Sequence, residues 1–61
     1  MTVKIFFNDQ RISTIENVIR VTNASTILVP DWLYVYVTGD IPGYPKFRYN
    51  ISNIICVEIN A

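Results

Sequence analysis

The chain has 61 residues, of which 51% are hydrophobic and 16% are charged, and five Lys and Arg balance five Asp and Glu. One domain spanning residues 1–61 is expected, and folding a chain of this size buries only about 60% of the surface that the unfolded chain exposes. The single cysteine excludes an intramolecular disulfide, the absence of histidine removes most zinc arrangements, and zero net charge argues against nucleic acid as a partner.

Short segments rich in β-branched and aromatic residues, which suit a half-buried sheet, alternate with turn residues along the chain. In chain order, the predicted strands are Val3–Asn8, Arg11–Thr14, Val18–Thr22, Thr26–Val29, Trp32–Thr38, Lys46–Ile51 and Ile55–Ile59. No segment has the length and period of a crossover helix, so antiparallel pairing is expected. The predicted fold class is all-β, either a small antiparallel barrel of SH3-like size or a strongly twisted β-meander of about five to seven short strands.

Residues 13–22 have two interpretations. Ser13 to Glu16 fits a capping box, and Ile15, Val18 and Ile19 fall on helical spacing, which would make a short helix. The alternation of β-branched residues favours a strand instead. A repeat in the sequence supports the strand.

The repeat consists of IENVIRV, Ile15–Val21, and ISNIICV, Ile51–Val57, which are similar at almost every position. The second copy continues in strict alternation and therefore reads as a strand. We interpret each copy as a corner of one barrel, in which an Asn adopts the backbone that the bend needs. Duplication of an ancestral unit is the alternative. Strand parity then predicts Arg20 and Cys56 on the outer face. The residues that it predicts on the core face are Ile19, Val21, Ile55, Val57 and Ile59.

The segment DWLYVYVTGDIPGYPKFRY is the strongest candidate for function. One face of its first strand is aromatic and the other is aliphatic. A sheet in so small a domain buries one face against its own core, so the second face is covered by something else or exposed. Parity alone leaves open whether the aromatic face is core or surface. The candidate binding residues are Trp32, Tyr34, Tyr36, Tyr44, Phe47 and Tyr49.

We therefore expect a non-catalytic binding or assembly module whose partner is a second copy or another protein. Self-association through the aromatic face or a strand edge is favoured, because it would relieve the marginal stability of a small domain. The alternative is a small single-stranded nucleic-acid binder that stacks bases on these aromatics and uses Lys46 and Arg48.

No catalytic residue, metal site or cofactor is predicted, and the protein is not expected to be an enzyme. Cys56 lies in the apolar stretch IICVE, which favours a structural thiol. The two glycines fit no phosphate-binding loop. No apolar run approaches the roughly 18 residues of a membrane span, and Asn8 and Asp9 come too early for a signal peptide, so a cytoplasmic location is expected.

The start TVKIFFNDQRIS and the end KFRYNISNIICVEI resemble the first and last strands of SH3-like barrels of the Sm kind. The resemblance implies a bent five-stranded barrel, ring assembly and contact with RNA. The sequence departs from that pattern because its glycines, Gly39 and Gly43, do not fall in the second strand and because it has no basic surface. The resemblance is therefore used for the barrel shape alone.

Overall fold

The computed structural model of the protein describes residues 1–24 and 31–61 and is all-β, which confirms the predicted class. The strands are β1 (Thr2–Phe7), β2 (Ile12–Ile15), β3 (Val18–Ala24), β4 (Trp32–Val37), β5 (Phe47–Asn50) and β6 (Ile54–Asn60), and a 3-10 turn, Ile51–Asn53, precedes β6. Residues 13–22 contain strand and no helix. The predicted strand Thr26–Val29 lies outside the described residues. No helix in the described part of the chain is long and apolar enough to cross a membrane.

The strands form two three-stranded antiparallel sheets. Sheet A has the order β2-β1-β6 and sheet B has the order β3-β4-β5. The chain therefore changes sheets twice, between β2 and β3 and again between β5 and β6. Each central strand, β1 and β4, pairs with its hairpin neighbour on one side and with a strand from the other half of the chain on the other side.

The core lies between the two sheets. Its buried side chains are Val3, Ile5, Phe7, Ile15, Val18, Leu33 and Val35. Leu33 and Val35 point inward from β4, so strand alternation places Trp32, Tyr34 and Tyr36 on the outer face of sheet B. The question that parity left open is thus resolved, and the aliphatic face is the interior.

The described strands do not close into a barrel, so the predicted closure is wrong for this part of the chain. No backbone ladder joins β2 to β5. Beside this seam between β2 and β5, the ring of Phe7, the last residue of β1, packs against the ring of Tyr49 in β5, with centroids 5.4 Å apart.

The repeat marks the two places where the chain changes sheets, so a corner is present at each copy, although the two corners do not belong to a closed barrel. Equivalent residues in the two copies contact the core, namely Ile15 and Ile51, Val18 and Ile54, and Val21 and Val57. Asn17 has a positive φ of 60°, which Asn tolerates better than most residues. Asn53, its equivalent, lies in the 3-10 turn.

Three residues predicted in the core are exposed: Ile19 by 59%, Ile55 by 69% and Ile59 by 54%. The reason for the first two is a β-bulge in each copy of the repeat. Val18 and Arg20 pair with consecutive residues of β4, and Ile54 and Cys56 pair with consecutive residues of β1, so the isoleucine between them is extra. A bulge interrupts the alternation on which parity depends. Ile59 lies near the end of an edge strand.

Candidate functional site

The aromatic row of β4 lies on the outer face of sheet B. Trp32 and Tyr34 are half-buried, whereas Tyr36 is only 5% exposed. Tyr36 packs edge-on against Tyr34, with ring centroids 6.5 Å apart, and the guanidinium of Arg20 lies 4.5 Å from its ring centroid. The accessible aromatic surface of this row therefore belongs to Trp32 and Tyr34.

The outer face of sheet B also carries two arginines. Arg48 of β5 lies directly opposite Tyr34, and Arg20 of β3 lies opposite Tyr36. Asp40, in the β4–β5 connection, lines a small cavity beside Arg20. Its carboxylate accepts two backbone N–H groups at 2.9 and 3.1 Å. The strand positions of this face that the structure describes bear no acidic side chain, so the face is locally positive although the chain is neutral.

The other sequence-predicted residues lie elsewhere. Phe47 and Tyr49 point inward and pack against the core. Tyr44 is 78% exposed in the β4–β5 connection. Lys46 is exposed, with its ammonium 5.9 Å from the Phe47 ring centroid. The predicted aromatic residues therefore do not form a single patch.

A groove of about 480 Å³ follows the open seam between β2 and β5. This seam groove brings together three sequence-predicted residues, Trp32, Arg48 and Tyr49. Its lining also includes residues that were not predicted from the sequence as binding residues, among them Arg11, Asn50 and Asn53. No acidic side chain in the described part of the chain lines it.

The hairpin between β1 and β2 positions Arg11 at the rim of the seam groove. The Arg11 guanidinium lies 5.4 Å from the ring centroid of Phe7, and its Nε contacts a carboxylate oxygen of Asp9 at 2.6 Å. The backbone N–H of Arg11 donates to the other Asp9 oxygen at 3.1 Å. This backbone hydrogen bond, followed by the side-chain bond and the charge of Arg11, holds the pKa of Asp9 below its ordinary value of 3.8 although partial desolvation opposes it.

The opposite end of the seam groove is set by the 3-10 turn. The Asn50 side-chain oxygen accepts the Ser52 N–H at 3.0 Å and the Ser52 hydroxyl at 2.8 Å, which caps the turn. The sequence does contain the Asn-x-Ser signal for such a turn. The sequence does not predict that β2 lies beside β5, because no local pattern indicates which strands far apart in sequence are neighbours.

Sheet A has two edge strands, β2 and β6, and β6 is the longer one. This seven-residue strand pairs with β1 on one side and with no other described strand. It exposes Ile55 and Ile59, and Glu58 is its one charged residue. Cys56 is also exposed and lies opposite Phe6 on the outer face of sheet A, as strand parity predicted, so it is not enclosed in the apolar surroundings that the stretch IICVE suggested.

The described residues contain no group of three His, Cys, Asp or Glu side chains placed to hold a metal. The absence of a catalytic site and of a cofactor stays a prediction. Comparison of the chain with protein-family models, curated proteins and solved structures finds no match.

Proposed function

We propose that the protein is a non-catalytic assembly module that binds a second copy of itself through the edge of β6. The observation that supports this function is the exposure of Ile55 and Ile59 on a seven-residue strand with one described neighbour. A long apolar edge is a template for pairing with another strand. Zero net charge also removes general repulsion between copies. The proposed compartment is the cytoplasm, where the Cys56 thiol would stay reduced.

Backbone direction identifies the residues of β6 that are free to pair. The N–H of Phe7 donates to Arg11 in the β1–β2 hairpin, and its carbonyl accepts from Gln10, so the backbone groups of Phe7 point away from β6. Because these directions alternate along a strand, the groups of Phe6 point toward its partner Cys56. The groups of Val57 and Ile59, one and three residues beyond Cys56, then point to the open edge.

An antiparallel pair of β6 strands with its two-fold axis at Val57 is self-complementary. In this register Ile55 lies opposite Ile59 of the second copy, and Glu58 lies opposite Cys56 of the second copy. The exposed isoleucines of both copies then lie along the shared edge, and the glutamates do not face each other directly. The outer face of sheet B is a poorer surface for self-association, because a two-fold contact there would bring Arg20 and Arg48 close to their own copies.

Absolute mass from light scattering behind size exclusion, across a dilution series, tests the proposal. We expect the wild type to be a dimer that dissociates on dilution, and Ile59→Lys to be a monomer. The matched control is Asn23→Lys, which places the same charge at the equivalent position of the other long edge strand, β3, and should leave the mass unchanged. A wild type that is monomeric at every concentration contradicts the proposal, and so does equal disruption by both lysines.

A further inference from the structure

A continuous surface of aromatic rings, arginines and amides runs from the seam groove onto the outer face of sheet B. Trp32 and Arg48 belong to both regions, because they line the groove and also lie on the outer face. The surface continues to Tyr34, opposite Arg48. Successive residues on one strand face are about 6.6–6.8 Å apart, so Trp32 and Tyr34 offer two ring positions in a row.

The charge of this surface selects an anionic partner. Arg48 and Arg11 lie at the groove, and both are exposed. The salt bridge to Asp9 partly neutralises Arg11, whereas Arg48 has no carboxylate within 4.0 Å among the described residues. Two neighbouring arginines can bind an anionic partner even in a protein whose net charge is zero.

The chemistry of the lining narrows the partner further. Half-buried Trp32 and Tyr49 present flat rings. The amide of Asn53 and the amide nitrogen of Asn50, whose oxygen caps the 3-10 turn, can hydrogen-bond to the edges of bases. Positively charged grooves lined by aromatic side chains are the general means by which proteins hold single-stranded nucleic acid. The volume of about 480 Å³ suits one flat ring system, and the extension to Tyr34 favours a strand over a single nucleotide.

We propose that the seam groove, together with Trp32 and Tyr34, binds single-stranded nucleic acid by stacking bases on the rings and pairing phosphates with Arg48 and Arg11. This site is separate from the β6 edge. Strand pairing and nucleic-acid binding can therefore succeed or fail independently.

Fluorescence of Trp32, the single tryptophan, reports directly on the site. We expect quenching by an oligothymidylate of roughly 12 nucleotides, within the range of about 4–16 nucleotides that an OB-fold domain of similar size covers. With two phosphates paired, the logarithm of the binding constant should fall by about 1.4 for each tenfold increase in salt. Light scattering on the same samples gives the oligomeric state, so a failed binding test is distinguishable from failed assembly.

Two variants, followed by anisotropy of a labelled oligonucleotide, locate the contact. Arg48→Gln should reduce the salt slope by about 0.7, and Trp32→Leu should weaken binding by about 5- to 150-fold, the loss expected for one stacked base. The matched control is Lys4→Gln, which removes the same charge from the outer face of sheet A and should change neither quantity. Far-ultraviolet circular dichroism checks that each variant is folded.

Several outcomes would overturn the proposal. These are the absence of quenching at low salt, a Lys4→Gln loss equal to that of Arg48→Gln, and competition by polyphosphate as effective as that by the oligonucleotide. Tighter binding of polyglutamate would instead identify an acidic protein segment as the partner. Equal affinity for thymidine monophosphate would restrict the site to single nucleotides.

Discussion

The two halves of the molecule, residues 2–24 and 32–60, follow the same plan. Each half makes a two-stranded hairpin and then sends its third strand across to the other sheet, β3 from the first half and β6 from the second. The pairing of these crossing strands agrees residue by residue. Val3 pairs with Ile59, and Leu33 pairs with Asn23. Toward the other end of the strands, Phe7 pairs with Ile54 just as Val37 pairs with Val18.

The correspondence extends to the irregularities. Both ladders carry their bulge at the same step, and the same kind of backbone bond closes each corner: Asn8 donates to the Asn53 carbonyl, and Thr38 donates to the Asn17 carbonyl, at 2.9 and 3.1 Å. The corner repeat is thus one part of a larger agreement between the halves. Each half supplies what the other needs to complete a sheet.

The difference between the halves lies on their outer faces. The inward residues of β1 and of β4 are all apolar, because both strands pack against the same core. Outward, Thr2, Lys4 and Phe6 of β1 occupy the positions of Trp32, Tyr34 and Tyr36 of β4. Packing in the shared core constrains the first set, whereas Tyr36 is the one buried residue of the second set. The aromatic outer face of sheet B is therefore a property that the fold does not require, and that is the reason to look for function there.

The largest expected effect is on the free energy of unfolding, and it tests whether both halves depend on one core. Ile5→Ala should lower the free energy of unfolding by about 2–5 kcal/mol, and Val35→Ala at the equivalent position by roughly 1.5–3 kcal/mol, because both side chains are completely buried. Urea denaturation at one protein concentration measures both. Lys4→Ala, on the outer face of β1, should stay within about 0.5 kcal/mol.

A large loss for Ile5→Ala beside a negligible loss for Val35→Ala would contradict this picture. It would mean that sheet A is stable without its packing against sheet B, and that the halves are not equal contributors to one core.

The next effect distinguishes the two copies of the corner. Asn17 has a left-handed backbone, whereas Asn53 does not. Asn17→Ala should therefore cost about 1–2 kcal/mol, and Asn17→Gly should cost little, since glycine adopts positive φ without steric penalty. Asn53→Ala, matched in composition, should cost less than Asn17→Ala. Thermal unfolding ranks the three variants, and equal losses at both asparagines would show that the bends rely on something other than backbone strain.

Much of the fold could be predicted from local signals. The β-branched residues and turn residues located the six described strands to within one or two residues, and the repeat located both corners. The bulges could not be predicted, because an extra residue in one strand is defined only by its partner strand. The exposure of Ile19 and Ile55 follows from pairing and not from their own sequence.

The candidate site was predicted less completely than the strands. Trp32 and Arg48 were selected for their chemistry, but Arg11 was not, because a lone arginine after a turn looks like an ordinary solvated side chain. Arg11 and Trp32 line the same groove because β2 and β5 lie beside each other at the seam, an arrangement that no local pattern encodes. Phe47 was selected for the same reasons as Trp32 but points into the core.

The smallest expected effect concerns the two hairpin loops, which are the least similar parts of the halves. In the loop over residues 8–11, Asp9 is tied to Arg11, whereas in the longer loop over residues 38–46 Asp40 accepts backbone bonds only. The carboxyl carbon of Asp9, followed by nuclear magnetic resonance, should titrate with a pKa below 3.8.

A pKa that is lower in the folded state than in the unfolded chain means that ionised Asp9 stabilises the fold above about pH 3.8, and that this contribution is lost as the pH falls through the folded value. Because the Arg11 backbone N–H is the largest cause, Arg11→Gln should raise the pKa of Asp9 only part of the way, and high salt should act in the same direction. If the pKa of Asp9 returned completely to its ordinary value in Arg11→Gln, the Arg11 guanidinium, and not the backbone N–H, would be the main cause of the lowered pKa. Arg11 would then be held at the rim of the seam groove mainly by its ion pair, and acid that protonates Asp9 would release it.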